Sequence, residues 1–145
     1  REDKVRIKLN PIADIVRGKR VVLIDDSIVR GTTSARIVRL IREAGATEVH
    51  FRVSAPPFRN PCFYGTDIDS RENLIANNHT IDEIASIIGA DTLGYLRMED
   101  VVRLAGDDDA GFCTACFSGE YPTAVPSQTR KNRFEQKISE SEGKA

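Results

Sequence analysis

The spacing of apolar positions changes several times along the chain, and each change marks an element. Residues 21–25 read VVLID, with four aliphatic side chains in succession. An uninterrupted aliphatic run predicts a strand covered on both faces, as in a parallel sheet. Arg17-Gly18-Lys19-Arg20 reads as the turn before it. From Thr33 to Ala44 the apolar residues Ile37, Val38, Leu40 and Ile41 recur at helical spacing, and Gly45 supplies a stop. TEVHFRVSA, residues 47–55, alternates Val49, Phe51 and Val53 and predicts the next strand. Strand, helix and strand in so short a span form a βαβ unit, right-handed by default.

Pro56-Pro57 ends the second strand sharply. Residues 56–70 hold three prolines, one glycine and little periodicity, which predicts a long ordered loop. RENLIA, residues 71–76, predicts a short helix. Thr80-Ile81-Asp82-Glu83 fits a capping box, opening a helix that runs to about Ile88 and stops at Gly89. TLGYL at 92–96 predicts a short strand, and MEDVVRLAG one more helix with a glycine stop. Asp107–Asp109 with Gly111 form an acidic turn. The fold class expected is α/β, a parallel sheet flanked by helices, over residues 1–123. Residues 124–145 are polar with few apolar anchors and are expected to be a mobile or helical tail. No internal repeat is visible.

The stretch VVLIDDSIVRGTTS, residues 21–34, carries the chemistry. A strand that delivers a polar loop to a helix N-terminus is where parallel α/β sheets bind ligands. Gly31 permits positive φ and close backbone approach, and Ser27, Thr32 and Thr33 supply hydroxyls. The first-turn N–H groups and the helix dipole favour an anion. Arg30 either adds charge or faces solvent. Neither GxxxxGK[ST] nor GxGxxG is present, so this is not one of the common nucleotide loops. Asp25 and Asp26 would repel a phosphate placed beside them. They suit a sugar diol, whose hydroxyls donate to carboxylates, or a Mg²⁺ ion. Diol, phosphate and metal together describe a phosphorylated ribose. The plainer alternative is a strand exit followed by a turn and an N-cap.

Bulk properties narrow the field. The chain has 145 residues, suiting one domain, with 40% hydrophobic and 30% charged residues. A net charge of −1 supplies no general basic field for nucleic acid or an anionic membrane. No apolar run approaches the roughly 20 residues of a membrane-spanning helix, and no secretory leader opens the sequence. The first residue is Arg1 and the only methionine is Met98, which suggests a processed chain or a piece of a longer one. Cys62, Cys113 and Cys116 make an odd count, favouring a cytoplasmic location with free thiols or a metal site over a disulfide framework.

VVLIDDSIVRGTT resembles the phosphoribosylpyrophosphate (PRPP) loop of type I phosphoribosyltransferases. That resemblance implies ribose contacts by Asp25 and Asp26, with Mg²⁺ nearby. It implies a 5-phosphate cradle formed by Ser27, Val29, Arg30, Gly31, Thr32 and Thr33, partly through backbone N–H groups. The wider series VRIKLNPI, DDSIVRGTTS, REAGATEVH, SAPPFRNPCFYGTDI, NLIA and IGADTLGYL, over roughly residues 1–123, is similar to the glutamine PRPP amidotransferase family. The resemblance implies a type I phosphoribosyltransferase fold truncated at its N-terminal side. It also implies that a glutaminase domain and a mobile catalytic loop are not in this chain, and that this piece alone is inactive. The implied reaction transfers glutamine nitrogen to C1 of PRPP, giving phosphoribosylamine, pyrophosphate and glutamate, the first committed step of purine synthesis. Glutamine would bind the absent domain, and purine nucleotides would inhibit by occupying the same cradle. Arg6 and Lys8 are candidates for touching a nucleotide or pyrophosphate, a solvated basic face being the alternative. Homo-oligomerisation of the whole protein is expected.

One branch of that family holds a [4Fe–4S] cluster on four cysteines. The resemblance matches three of them to Cys62, Cys113 and Cys116, with the fourth absent from this chain. Zinc is the competing metal, though it too wants a fourth ligand, and nothing places His50 or His79 nearby. The family's cluster has a structural, oxygen-sensitive character and no part in the bond-making. Two other readings compete: a different enzyme sharing the PRPP loop, such as another type I phosphoribosyltransferase, and a PRPP-sensing regulator that binds nucleic acid. No helix-turn-helix pattern or basic domain supports the regulator.

Overall fold

A computed structural model describes residues 13–68, 70–104 and 111–125. The elements in chain order are α1 (Ala13–Val16), β1 (Arg20–Asp25), α2 (Thr32–Glu43), β2 (Glu48–Val53), a 3₁₀ turn (Arg71–Asn73), α3 (Ile75–Asn78), α4 (Ile81–Ile88), β3 (Thr92–Tyr95), α5 (Met98–Leu104) and α6 (Ala115–Ser118). The three strands form one parallel sheet in the order β1-β2-β3. Register sets Leu23 beside Phe51 and Phe51 beside Leu93. Side chains alternate across a sheet, so Val21, Leu23, Val49, Phe51, Val53, Leu93 and Tyr95 share one face. Val49 and Phe51 are fully buried there, packed with Val38 of α2 and Ile84 and Ile88 of α4. The alternation read in residues 49–53 is therefore the core of the fold.

The other face departs from expectation. Val22 and Ile24 are 60% and 72% exposed, so the described residues cover β1 on one side only. Both long helices pack into the cluster on the Phe51 side. The open face is otherwise polar. There Arg20 donates to Glu48 at 2.6 Å, His50 meets Thr92 Oγ1 at 2.9 Å, and Arg52 donates to the same oxygen at 3.0 Å. A run of four aliphatics reports the two-sided burial that a parallel sheet seeks; the second covering layer is not among the described residues.

The capping box forms as read. Thr80 Oγ1 accepts from the Glu83 N–H, and the Glu83 carboxylate accepts from the Thr80 N–H at 2.7 Å. Gly89 closes α4 at φ 77°. The segment 71–76 differs from the single short helix expected. Leu74 is extended between the 3₁₀ turn and α3. Two distant partners outcompete local helical bonding there. The Leu74 side chain is fully buried with Phe58 and Ile68, and the Ile75 N–H donates to the Val29 carbonyl at 2.9 Å. The acidic turn at 107–109, Arg6 and Lys8, and residues 126–145 of the expected tail lie outside the described residues.

Asp91 ties the covered face together. Its carboxylate accepts from the Val49 N–H at 2.6 Å and from Arg42 at 2.8 Å. The Val49 N–H bond, assisted by the Arg42 guanidinium, holds the Asp91 carboxyl below its usual range. A depressed folded pKa means the contribution is present above the unfolded value, about 3.9, and is lost as pH falls through the folded one. The gap in Tm between the natural chain and Asp91→Asn is therefore expected to shrink as pH is lowered from 7 through this range. A gap that stays constant down to pH 2.5 would refute the clamp.

Candidate functional site

β1 ends at Asp25, and Asp26 lies just beyond it. The strand therefore stops before its alternation would send the second carboxylate to the opposite face, and both acids border one cavity. Asp25 is anchored to the centre of the sheet, since its carbonyl accepts from the Ser54 N–H at 2.9 Å and from Ser54 Oγ at 3.2 Å. Its carboxylate accepts from the Asp26 N–H at 3.0 Å, and the Asp26 carboxylate accepts from Ser27 Oγ at 2.8 Å. These bonds turn the chain sharply out of the strand. Ile28 then plunges into the main core and Val29 packs on the Phe58–Ile68–Leu74 cluster. With two adjacent side chains pinned into two different clusters, the loop is fixed by packing.

Gly31 sits at φ 80°, in the left-handed region that glycine enters at little cost, and begins α2. No side chain caps this helix, and its first turn holds no acidic residue. The start of α2 therefore presents backbone N–H groups and the positive end of the dipole to whatever lies in front of it. In front lies a cavity of about 540 Å³ lined by Asp25, Asp26, Ser27, Val29, Arg30, Gly31, Thr32 and Thr33. All eight residues singled out in the sequence thus meet at one place. Ser34, Ile37 and Asp67 complete the lining. Asp67 comes from the proline-rich loop 56–70, and nothing local in the sequence marks it.

The electrostatics are divided. Carboxylates of Asp25, Asp26 and Asp67 border the cavity, and the N-terminus of α2 with Arg30 supplies its positive side. One molecule with hydroxyl donors at one end and an anion at the other satisfies both halves. Among the described residues no three His, Cys, Asp or Glu side chains are grouped as a metal centre. Two adjacent carboxylates nonetheless suit Mg²⁺, which usually takes one or two from protein and the rest from water and substrate phosphates.

The cysteines gather elsewhere. Cys62 and Cys116 pack on the Phe58–Ile68–Leu74 cluster, and Cys113 is exposed. All three are free thiols. The Tyr64 N–H points at Cys62 Sγ, 3.4 Å away. Burial pushes the Cys116 thiol up from its ordinary pKa, and the neighbouring Cys62 adds to the push. The Cys116 carbonyl accepts from the N–H groups of Arg59 and Asn60, both at 3.0 Å, and Tyr121 donates to the Pro61 carbonyl at 2.8 Å. Phe58 and Phe117 pack in a tilted pair at 4.8 Å between centroids. The surroundings fit thiolate ligation in kind: an apolar shell, an N–H aimed at sulfur, and thiols close enough to repel one another as anions. Among the described residues, however, the three thiols are not grouped as a metal centre.

No protein-family profile matches the chain. Individual proteins do. Over 134 residues, 92% of this chain, it is 53% identical to the amidophosphoribosyltransferase of Synechocystis sp., and it covers 27% of that protein. It is also 53% identical to the amidophosphoribosyltransferase of Bacillus subtilis, over 89% of this chain and 28% of the other. The structure of the Bacillus subtilis glutamine PRPP amidotransferase, complexed with ADP and GMP, superposes with a TM-score of 0.75 at 52% identity. That match covers 83% of this chain and 27% of the solved one. This chain thus spans about a quarter of the length of the curated relatives it matches. Half-identity over nearly the whole chain, joined to a shared parallel-sheet fold, makes it a homologue of one segment of the amidophosphoribosyltransferases.

Proposed function

We propose that this chain is the ribose-phosphate-binding segment of a longer, cytoplasmic amidophosphoribosyltransferase. The observation that supports it best is the shared cavity: two carboxylates and an uncapped helix N-terminus face the same space. In this reading Asp25 and Asp26 accept hydrogen bonds from the ribose hydroxyls of PRPP. The N–H groups of Gly31, Thr32 and Thr33, with the hydroxyls of Ser27, Thr32 and Thr33, hold the 5-phosphate.

The reaction joins ammonia, released from glutamine elsewhere in the protein, to C1 of the ribose. The C1–O bond to pyrophosphate breaks as the C1–N bond forms, and 5-phosphoribosylamine, pyrophosphate and glutamate result. Positive charge builds on the sugar ring on the way, so the nearby carboxylates favour the transition state. Gripping both ends of the sugar holds C1 in line, which turns remote binding energy into rate. None of the residues present is required as a general base. When bound, Mg²⁺ beside Asp25 and Asp26 would offset charge on the departing pyrophosphate. Purine nucleotides, which also carry ribose 5-phosphate, would compete for the same cradle. The whole protein is proposed to be a homo-oligomer.

Thermal denaturation of the 145-residue chain with PRPP or ribose 5-phosphate tests the reading. A rise in Tm with either, accompanied by shifts of the Gly31, Thr32 and Thr33 amide resonances, is the expected result. Binding that leaves those three amides undisturbed would remove its basis.

Cys62, Cys113 and Cys116 are proposed to ligate a [4Fe–4S] cluster whose fourth thiolate lies outside this chain. Such a cluster would link loop 56–70 to the segment 111–125 covalently through iron. Cys113→Ser in the full-length protein, prepared without oxygen, is expected to lose the brown absorbance and the bound iron. Unchanged iron content would rule out ligation by this residue.

A further inference from the structure

We propose that Ile75 is a positioning residue of the anion cradle, fixing the backbone on both sides of Arg30. The inference rests on the ribose-phosphate reading of that loop and assigns it a determinant far downstream in the sequence. A cradle built from backbone N–H groups binds only if its peptide planes are held in the receptive orientation. Glycine cannot hold its own, because it enters both halves of φ space with similar ease. Something outside the loop must select φ 80° at Gly31.

Ile75 meets that need twice. Its Cδ1 lies 2.7 Å from the point where a Cβ on Gly31 would stand, and the other atom within 4 Å of that point is Ile88 Cγ2 at 3.6 Å. Its backbone N–H donates to the Val29 carbonyl at 2.9 Å. One residue therefore fills the space where a side chain on Gly31 would stand and tethers Val29. Ile75 is itself immobilised, being 7% exposed within the Phe51 cluster. The short helix it begins is fastened on both sides. Asn77 donates to the carbonyls of Arg59 and Arg71 at 2.9 and 3.0 Å, and Arg59 donates to the Ala76 carbonyl at 3.1 Å. This is preorganisation: the ordering cost of the cradle is met by folding, so that binding need not meet it again.

Ile75→Val removes only the Cδ1 methyl, keeping the β-branch and the backbone donor. It is expected to weaken ribose 5-phosphate binding to the 145-residue chain by about three- to tenfold, and to move the free-state amide resonances of Thr32 and Thr33. Ile84→Val is the control, since Ile84 is also buried in the same cluster but has no atom within 4 Å of the point where a Gly31 Cβ would stand. It is expected to lower Tm comparably and to leave the affinity unchanged. Equal affinity in Ile75→Val and the natural chain would overturn the inference, as would an equal loss in Ile84→Val. Failure of the natural chain to bind ribose 5-phosphate would overturn the ribose-phosphate reading, and this inference with it.

Discussion

Changing Asp25 and Asp26 together to asparagine in the full-length protein is expected to abolish PRPP-dependent turnover while glutamine hydrolysis continues. The substitution isolates charge from shape. An asparagine carbonyl can still accept from the Asp26 N–H and from Ser27 Oγ, the two contacts that fold the strand exit. What disappears is negative charge at the cavity wall. Hydrogen bonds to a charged group contribute roughly 1.5–3 kcal/mol each. Reducing two such bonds to neutral strength weakens sugar binding by about ten- to a hundredfold. The transition state, which carries positive charge on the ring, should suffer further. Parallel assays of phosphoribosylamine formation and of glutamate release check the split. Undiminished phosphoribosylamine formation would eliminate the ribose-gripping role, and loss of both activities together would point to misfolding of the site.

The second large effect is expected at Gly31→Ala. Two penalties act at one position. The left-handed φ of 80° costs an L side chain roughly 1–2 kcal/mol. The new methyl would stand 2.7 Å from Ile75 Cδ1, in a packed core where overpacking costs about 1–3 kcal/mol. The local remedy is for the backbone at Gly31 to leave the left-handed region, which turns the first N–H groups of α2 away from the cavity. The variant should therefore lose Tm and also lose the stabilisation by PRPP expected of the natural chain. Adding Ile75→Val to Gly31→Ala removes the clash but not the φ penalty, so part of the Tm should return. A Gly31→Ala chain with natural stability and a natural PRPP response would show that this backbone geometry is not what the site depends on.

Local pattern was a good guide wherever the interaction it encodes is local. The alternation of Val49, Phe51 and Val53 reports a strand because side chains two apart share a face, and all three are buried. Thr80 and Glu83 announce a helix start because they bond each other's backbone within a single turn. The carboxylates and the small-residue loop are legible for the same reason: strand, turn and helix N-terminus are contiguous. Legibility ended where partners are distant. RENLIA has the composition of a short helix, yet Leu74 breaks it to reach Phe58 and Ile68, and the Ile75 N–H is drawn to Val29. Asp67 and Ile75 join the site through the fold alone. Two-sided cover for β1 was expected from its composition, whereas Val22 and Ile24 lie open among the described residues.

The sequence by itself determined the three strands, the longer helices and the loop that carries the chemistry, because hydrophobic period, caps and glycine conformation act over a few neighbouring residues. Only the tertiary structure decided that three carboxylates share one cavity with the start of α2 and that Cys62 lies beside Cys116. It also decided that an isoleucine from α3 packs against Gly31 and bonds to Val29 in the loop at the end of β1. Those are contacts between segments far apart in the chain. Their cause is the packing of one apolar cluster against another, which leaves no trace in local spacing.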